Sequence, residues 1–227
     1  MRYRVEVEIE WLKFLLKEKI APLTPNCSYE ETASHLDNIK KLENFYEEIK
    51  KIEAVTNHDV KAVEYFIKNS MEGNSMLKPL QEYVHFTCTS EDINNVAYSL
   101  CLKEAKRDTM DPAMGNIVDV LSEMAIKYKD SAMMARTHGQ AATPTTMGKE
   151  MANFAYRLNN VQVYNRNLKF AAKLNGATGN YNAHVLVFGE YNWPDVSKRF
   201  LEGLGLEWNP YSTQIESHDS MCYYFRN

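Results

Sequence analysis

The run Ala135-Arg136-Thr137-His138-Gly139-Gln140-Ala141-Ala142-Thr143-Pro144 carries the densest chemistry in the chain. A histidine, the side chain that ordinarily exchanges a proton near neutral pH, stands beside a glycine that frees the backbone. The Thr143-Pro144 pair is of the kind that opens a helix, so unpaired N–H donors are expected close by. That combination suits moving a proton next to an anion. A lone loop histidine is more often structural or merely exposed, and His138 gains weight from two other clusters. Thr56-Asn57-His58-Asp59 and Thr89-Ser90-Glu91-Asp92 each read as a helix start. Their free N–H groups and short polar side chains could together hold a small ligand with several anionic groups. Ordinary capping is the plainer account of either cluster alone. Asp59, Glu91 and Asp92 complement the helix dipole in those first turns and compete with an anionic ligand. His58 and His138 would form an acid/base pair if the fold brings them together. Gly176-Ala177-Thr178-Gly179 is either a place where backbone approaches a ligand or a plain turn.

The elements that must position these residues read as helices. Tyr3, Val5, Val7, Ile9 and Trp11 alternate like a strand, but Val5, Ile9, Leu12 and Leu16 also make a helical stripe, and length favours a helix to about Lys19. Pro22 and Pro25 mark a loop. Leu36, Ile39, Leu42, Phe45 and Ile49 predict an amphipathic helix between Tyr29 and Ile52, with room for a break. Further starts are predicted at Asn57-His58, at Thr89-Ser90 ahead of Ile93, Val96 and Leu100, and at Asp111-Pro112 ahead of Met114, Ile117 and Leu121. The longest helix is predicted to open at Thr143-Pro144 and to carry Met147, Met151, Phe154, Leu158 and Val161 toward Lys173. Some 30 residues would make a rod of roughly 45 Å, suited to a bundle. A loop-rich stretch from Asn175 to Pro210 includes a short helix near Asp195–Leu204. One long and one shorter helix cannot close a bundle core alone, so other chains are expected to supply helices, or the sequence is a fragment.

Composition excludes several classes. A formal net charge of −4 and a pI near 5.9 provide no basic face for nucleic acid. Cys27, Cys88, Cys101 and Cys222 form no C-x-x-C pair, so neither zinc nor a disulfide framework is indicated and a cytoplasmic, reducing setting fits best. The six histidines show no metal-ligand spacing, and no Walker, G-x-G-x-x-G or G-x-S-x-G motif is present. The charged opening Met1-Arg2-Tyr3-Arg4 is no export signal, and no run approaches the length of a membrane span. Neither a metal nor a cofactor is expected.

Five strings resemble those of the adenylosuccinate lyases, within the fumarase/aspartase superfamily. They are Thr56-Asn57-His58-Asp59-Val60-Lys61-Ala62-Val63-Glu64-Tyr65, Thr89-Ser90-Glu91-Asp92-Ile93-Asn94-Asn95, Thr137-His138-Gly139-Gln140, Gly176-Ala177-Thr178-Gly179-Asn180-Tyr181-Asn182-Ala183-His184 and Trp208-Asn209-Pro210-Tyr211-Ser212-Thr213-Gln214-Ile215-Glu216. They run in the family's order along essentially the whole chain. The resemblance implies an all-α fold: an N-terminal helical domain over 1–110 and the first part of a long-helix bundle over 111–227. It implies elimination of fumarate from adenylosuccinate and SAICAR without metal or cofactor, in a homotetramer whose sites are shared between subunits. His138 would protonate the departing nitrogen, Thr137 and Gln140 would shape its loop, and Asn57, His58 and Asp59 would contact substrate. Thr89 and Ser90 would hydrogen-bond a carboxylate or the nucleotide, and Gln214 would meet substrate from a neighbouring subunit. Ala141 and Ser217 stand where the family commonly has proline. The family's Asp-Gly-Arg-Tyr phosphate segment is expected before Met1, and its Ser-Ser-x-Met-Pro-His-Lys loop, carrying the serine base, after Asn227. Two rivals remain at this stage: a superfamily lyase with another fumarate-releasing substrate, and a non-catalytic helical scaffold derived from half a lyase.

Overall fold

A computed structural model describes residues 1–226. Helices dominate, in the order α1 (Arg2–Lys17), α2 (Tyr29–Ile39), α3 (Phe45–Thr56), α4 (Asp59–Met71), a 3-10 segment (Lys78–Tyr83), α5 (Ser90–Ala105), a π-helical turn (Lys106–Met110) and α6 (Asp111–Lys127). Strands β1 (Ala132–Thr137) and β2 (Gln140–Thr146) then precede α7 (Met147–Arg166), and β3 (Ala171–Ala172), α8 (Asn182–Val187), α9 (Trp193–Gly203), β4 (Glu207–Trp208) and α10 (Asp219–Arg226) follow. The chain is therefore all-α in class. It divides into two compact units, Met1–Cys101 with Phe170–Asp219, and Leu102–Lys169 with the chain from Ser220.

In the first unit α1 lies at the centre, which explains its ambiguous pattern. Val5, Ile9, Leu12 and Leu16 are buried, and so are Val7 and Trp11, because partners cover more than one face of the helix. The Trp11 ring meets Phe200 edge-on at 5.0 Å, and its Nε1 donates to the Phe86 carbonyl at 3.1 Å. The helical run expected between Tyr29 and Ile52 is broken into α2 and α3, the former opened by a reciprocal Ser28–Glu31 capping box. Strands β3 and β4 pair in parallel, Ala171 with Glu207 and Ala172 with Trp208.

The second unit holds α6, α7, α10 and the antiparallel β1–β2 hairpin. Here two expectations are overturned. Pro144 is not in the first turn of the longest helix: it sits in β2 opposite Met134, and α7 begins at Met147 with Thr146 as its cap, whose hydroxyl accepts from the Lys149 N–H at 3.2 Å. A two-stranded ribbon tolerates proline because one side of each strand has no partner to donate to. The helix is also shorter than expected, 20 residues ending at Arg166, and Lys173 belongs to the first unit. Gly148 lets α7 run close to the end of α6, since a Cβ there would come within 2.6 Å of the Lys129 backbone. No residue of α6 is buried, and Ile117, Val120, Phe154 and Tyr164 remain exposed.

His184 is fully buried in the first unit, between the Tyr181 ring at 5.4 Å and the Trp193 ring at 4.9 Å, and neither ring nitrogen has a hydrogen-bond partner. Burial pushes its pKa from the ordinary 6.5 down to about 4. The unfolded chain takes up this proton near 6.5 while the folded chain waits until about 4. Stability should therefore fall as pH drops through that window, by up to about 3 kcal/mol. Melting curves from pH 7 to 4 should show that slope in the wild type and a flatter one in His184→Phe, which keeps a ring in the stack. Equal slopes would mean that His184 is not the group responsible.

Candidate active site

Two helix starts meet in the first unit. Asn57 takes a left-handed conformation (φ +52°) as the C-cap of α3, and this turns the chain abruptly into α4. His58 is the N-cap of α4, with its Nδ1 accepting the Lys61 N–H at 3.2 Å. An accepting Nδ1 carries no proton, so in the neutral ring the proton sits on Nε2. That nitrogen faces the Ser90 hydroxyl, 3.4 Å away at the start of α5. The imidazole is thus fixed by its own helix and presents a donor across the gap to the next one. About half of its side chain is exposed, which leaves it open to a ligand.

Two of the three acidic residues of these first turns, Asp59 and Asp92, are paired with cations within the fold, while Glu91 has only the His218 ring, 3.9 Å away. Asp59 accepts the Val60 N–H at 2.8 Å and pairs with the Arg4 guanidinium at 2.8 Å, while Arg4 Nε donates to Asn94 at 2.7 Å. Asp92 turns inward, accepting the Thr89 N–H at 2.8 Å and lying 2.9 Å from the Lys173 ammonium. The competition with an anionic ligand expected from the sequence is therefore relieved at both positions. Burial of its sulfur and the charge of Asp92 push the Cys88 thiol well above its ordinary value, which disfavours the nucleophilic thiolate.

Among the expected site residues the structure brings together His58, Asp59 and Ser90, with Asn57 and Thr89 directly beside them in the chain. Gln214 lies exposed in the same unit, between β4 and α10. Thr137 and His138 belong to the second unit, where Thr137 pairs with Gln140 and His138-Gly139 form the two-residue turn of the hairpin. Their φ values of +52° and +76° match the primed turn that such hairpins prefer, so the histidine stands exposed at a tip. Sequence reading missed Arg4, which looked like one charge in a charged opening, and Lys173, which looked like the end of a helix. Only Asp92 left a signal, as the acidic fourth residue of a capping pattern. Among the described residues no group of His, Cys, Asp and Glu could hold a metal ion, and no helix is long and apolar enough to cross a membrane.

Residues 8–226 match the family model described as lyase, and the chain belongs to that family. The curated relatives it matches include, more particularly, adenylosuccinate lyases. That of Buchnera aphidicola from Acyrthosiphon pisum is 43% identical over 229 residues, covering 99% of this chain and 50% of the relative. That of Escherichia coli K12 is 42% identical, with the same coverage of 99% and 50%. The chain thus spans about half the length of the curated relatives it matches. Two solved structures share the fold. The β-carboxy-cis,cis-muconate cycloisomerase of Acinetobacter calcoaceticus superposes with a TM-score of 0.75 at 19% identity over 98% of this chain and 49% of its own. A fumarate lyase of Mesorhizobium gives 0.74 at 16% identity over 92% and 46%.

The double duty of His58 can be separated by substitution. His58→Asn keeps an N-cap acceptor and should leave stability within about 0.5 kcal/mol of wild type, whereas His58→Ala should cost about 1 kcal/mol. Thermal melts of the two variants measure this; equal losses would show that the Nδ1 cap contributes nothing.

Proposed function

We propose that the protein is an adenylosuccinate lyase, releasing fumarate from adenylosuccinate and from SAICAR without metal or organic cofactor. The observation that carries this reading is the His58 ring set 3.4 Å from Ser90 across two helix starts, in a chain matched along nearly its whole length by enzymes of that name. The two substrates are small polyanions, and the paired first turns of α4 and α5, with Asp59 and Asp92 already neutralised, suit anionic groups.

In the proposed elimination a base removes a proton from carbon, the freed electron pair becomes the second C–C bond of fumarate, and the C–N bond breaks. An amine leaves poorly as an anion, so His138 gives its proton to the departing nitrogen. Thr137 and Gln140 hold the turn that carries it. His58, through Nε2, orients or charge-balances the acid, Asn57 and Asp59 contact substrate, and Thr89 and Ser90 bind a carboxylate or the nucleotide. Gln214 reaches the substrate of a neighbouring subunit in a homotetramer. The base comes from the family's serine loop, placed by resemblance after Asn227. The enzyme works in the cytoplasm, and no nucleic acid or membrane is a partner.

Two expected outcomes test this. In the complete protein, His138→Ala should lower turnover by about 10²–10⁴-fold with a much smaller effect on substrate affinity. Steady-state kinetics decide, and more than about a tenth of wild-type turnover in that variant would remove His138 as the acid. The 227 residues alone should release no fumarate from adenylosuccinate, because the base is supplied elsewhere. Turnover at an ordinary enzyme rate, about 1–10 s⁻¹, would place a base among them.

A further inference from the structure

Asp92 and Lys173 are both fully buried, and between them they tie down two segments that the proposed reaction would use. Asp92 Oδ2 accepts the Thr89 N–H at 2.8 Å and the Gly176 N–H at 3.1 Å, while Oδ1 accepts the Asn175 N–H at 3.1 Å. Lys173 Nζ sits 2.9 Å from Oδ1 and donates to the Gly176 carbonyl at 2.9 Å. One turn along α5, Asn95 repeats the attachment, accepting the Lys173 N–H at 2.9 Å and donating to the Lys173 carbonyl at 3.0 Å. Two backbone nitrogens bound to one carboxylate oxygen cannot be more than about 6 Å apart, so the Thr89-Ser90 start and the Gly176 turn are held edge to edge.

The turn is pinned from its other sides as well. Ser197 Oγ donates to the Leu174 carbonyl at 2.6 Å, and Asn175 Nδ2 donates to Ser212 Oγ at 2.8 Å. Gly176 and Gly179 have φ near +83° and +79°, and a Cβ on Gly179 would lie 2.8 Å from the Ser212 carbonyl carbon. Lys173, Leu174, Asn175 and Gly176 are buried, whereas Ala177 and Thr178 are exposed and Ser90 is partly so. Apolar packing could join a helix to a loop without desolvating two charges. What the carboxylate adds is orientation, because three backbone donors from two segments must point at it together.

We propose that Asp92, backed by Lys173, is a positioning residue that registers the Thr89-Ser90 start against the Gly176–Gly179 turn, making the two the walls of one pocket for a substrate carboxylate. This rests on the lyase reading above. Asp92→Asn alone would leave the Lys173 ammonium buried without a counter-charge and can be expected to melt early. The informative variants, made in the complete protein, are Asp92→Asn with Lys173→Met, which removes both charges, and Asp92→Glu, which keeps the charge on a longer arm. Each should raise KM for adenylosuccinate about tenfold or more while kcat falls less than about threefold. Amide exchange at Thr89, Asn175 and Gly176 should accelerate together by about tenfold or more, with exchange in α1 unchanged. A merely structural pair predicts that whichever variant melts like wild type also keeps wild-type KM and exchange, and that result overturns the proposal. Should the wild type itself release no fumarate, the lyase reading falls and the exchange pattern alone judges the clamp.

Discussion

A carboxylate and an ammonium withdrawn completely from water impose the strictest condition on the first unit. Removing one partner of such a pair costs about 3–5 kcal/mol, since the survivor is left charged and unsolvated. The surroundings of Asp92 and Lys173 meet that condition with backbone N–H groups and a backbone carbonyl. The same seclusion governs nearby groups. Cys88 is held as a thiol, and His184 is held neutral, with its pKa at about 4. Asp92 and Lys173 carry their charges here, and Cys88 and His184 beside them are kept from adding to these.

Closer to the surface the chemistry is set by backbone satisfaction. A helix start leaves N–H groups unpaired, and whichever side chain caps them is oriented as a by-product. At α4 that side chain is an imidazole, so capping selects both its direction and its tautomer. At α5 the carboxylate of Asp92 does the capping from beneath, and the hydroxyl of Ser90 faces His58. Arg4, on a third helix, cancels Asp59 and holds Asn94 by the same guanidinium. Asp59 and Asp92 are each matched by a cation before any ligand arrives, which favours an anion site at paired helix starts.

Much of this was legible in the residues. Helix starts at His58 and Ser90 were marked by capping patterns, and α6 by Asp111-Pro112, because these signals are local. Signals that depend on partners were not. Thr143-Pro144 imitates a helix start, and only pairing across the ribbon with Met134 and Arg136 draws residues 140–146 into a strand. Lys173 continues a charged helical run in sequence, yet its backbone bonds to Asn95, 78 residues away, and leaves the helix to do so. Arg4 is one of several charges in an opening helix, and its task is visible only once Asp59 and Asn94 are brought beside it.

The first unit is discontinuous in the chain, and this dictates an order of events during synthesis. Asp92 is made 81 residues before Lys173, and the whole second unit is threaded between them apart from its closing helix. At about 5–20 residues per second the carboxylate waits several seconds for its counter-ion. The intervening hairpin and the α6–α7 pair depend on near neighbours in sequence and can form during that wait. The closure of the first unit is therefore a late step, completed only when Lys173-Leu174-Asn175-Gly176 reaches the start of α5. Until then the apolar residues of α1 have only part of their cover, and that interval is when the nascent chain is most exposed to mispairing.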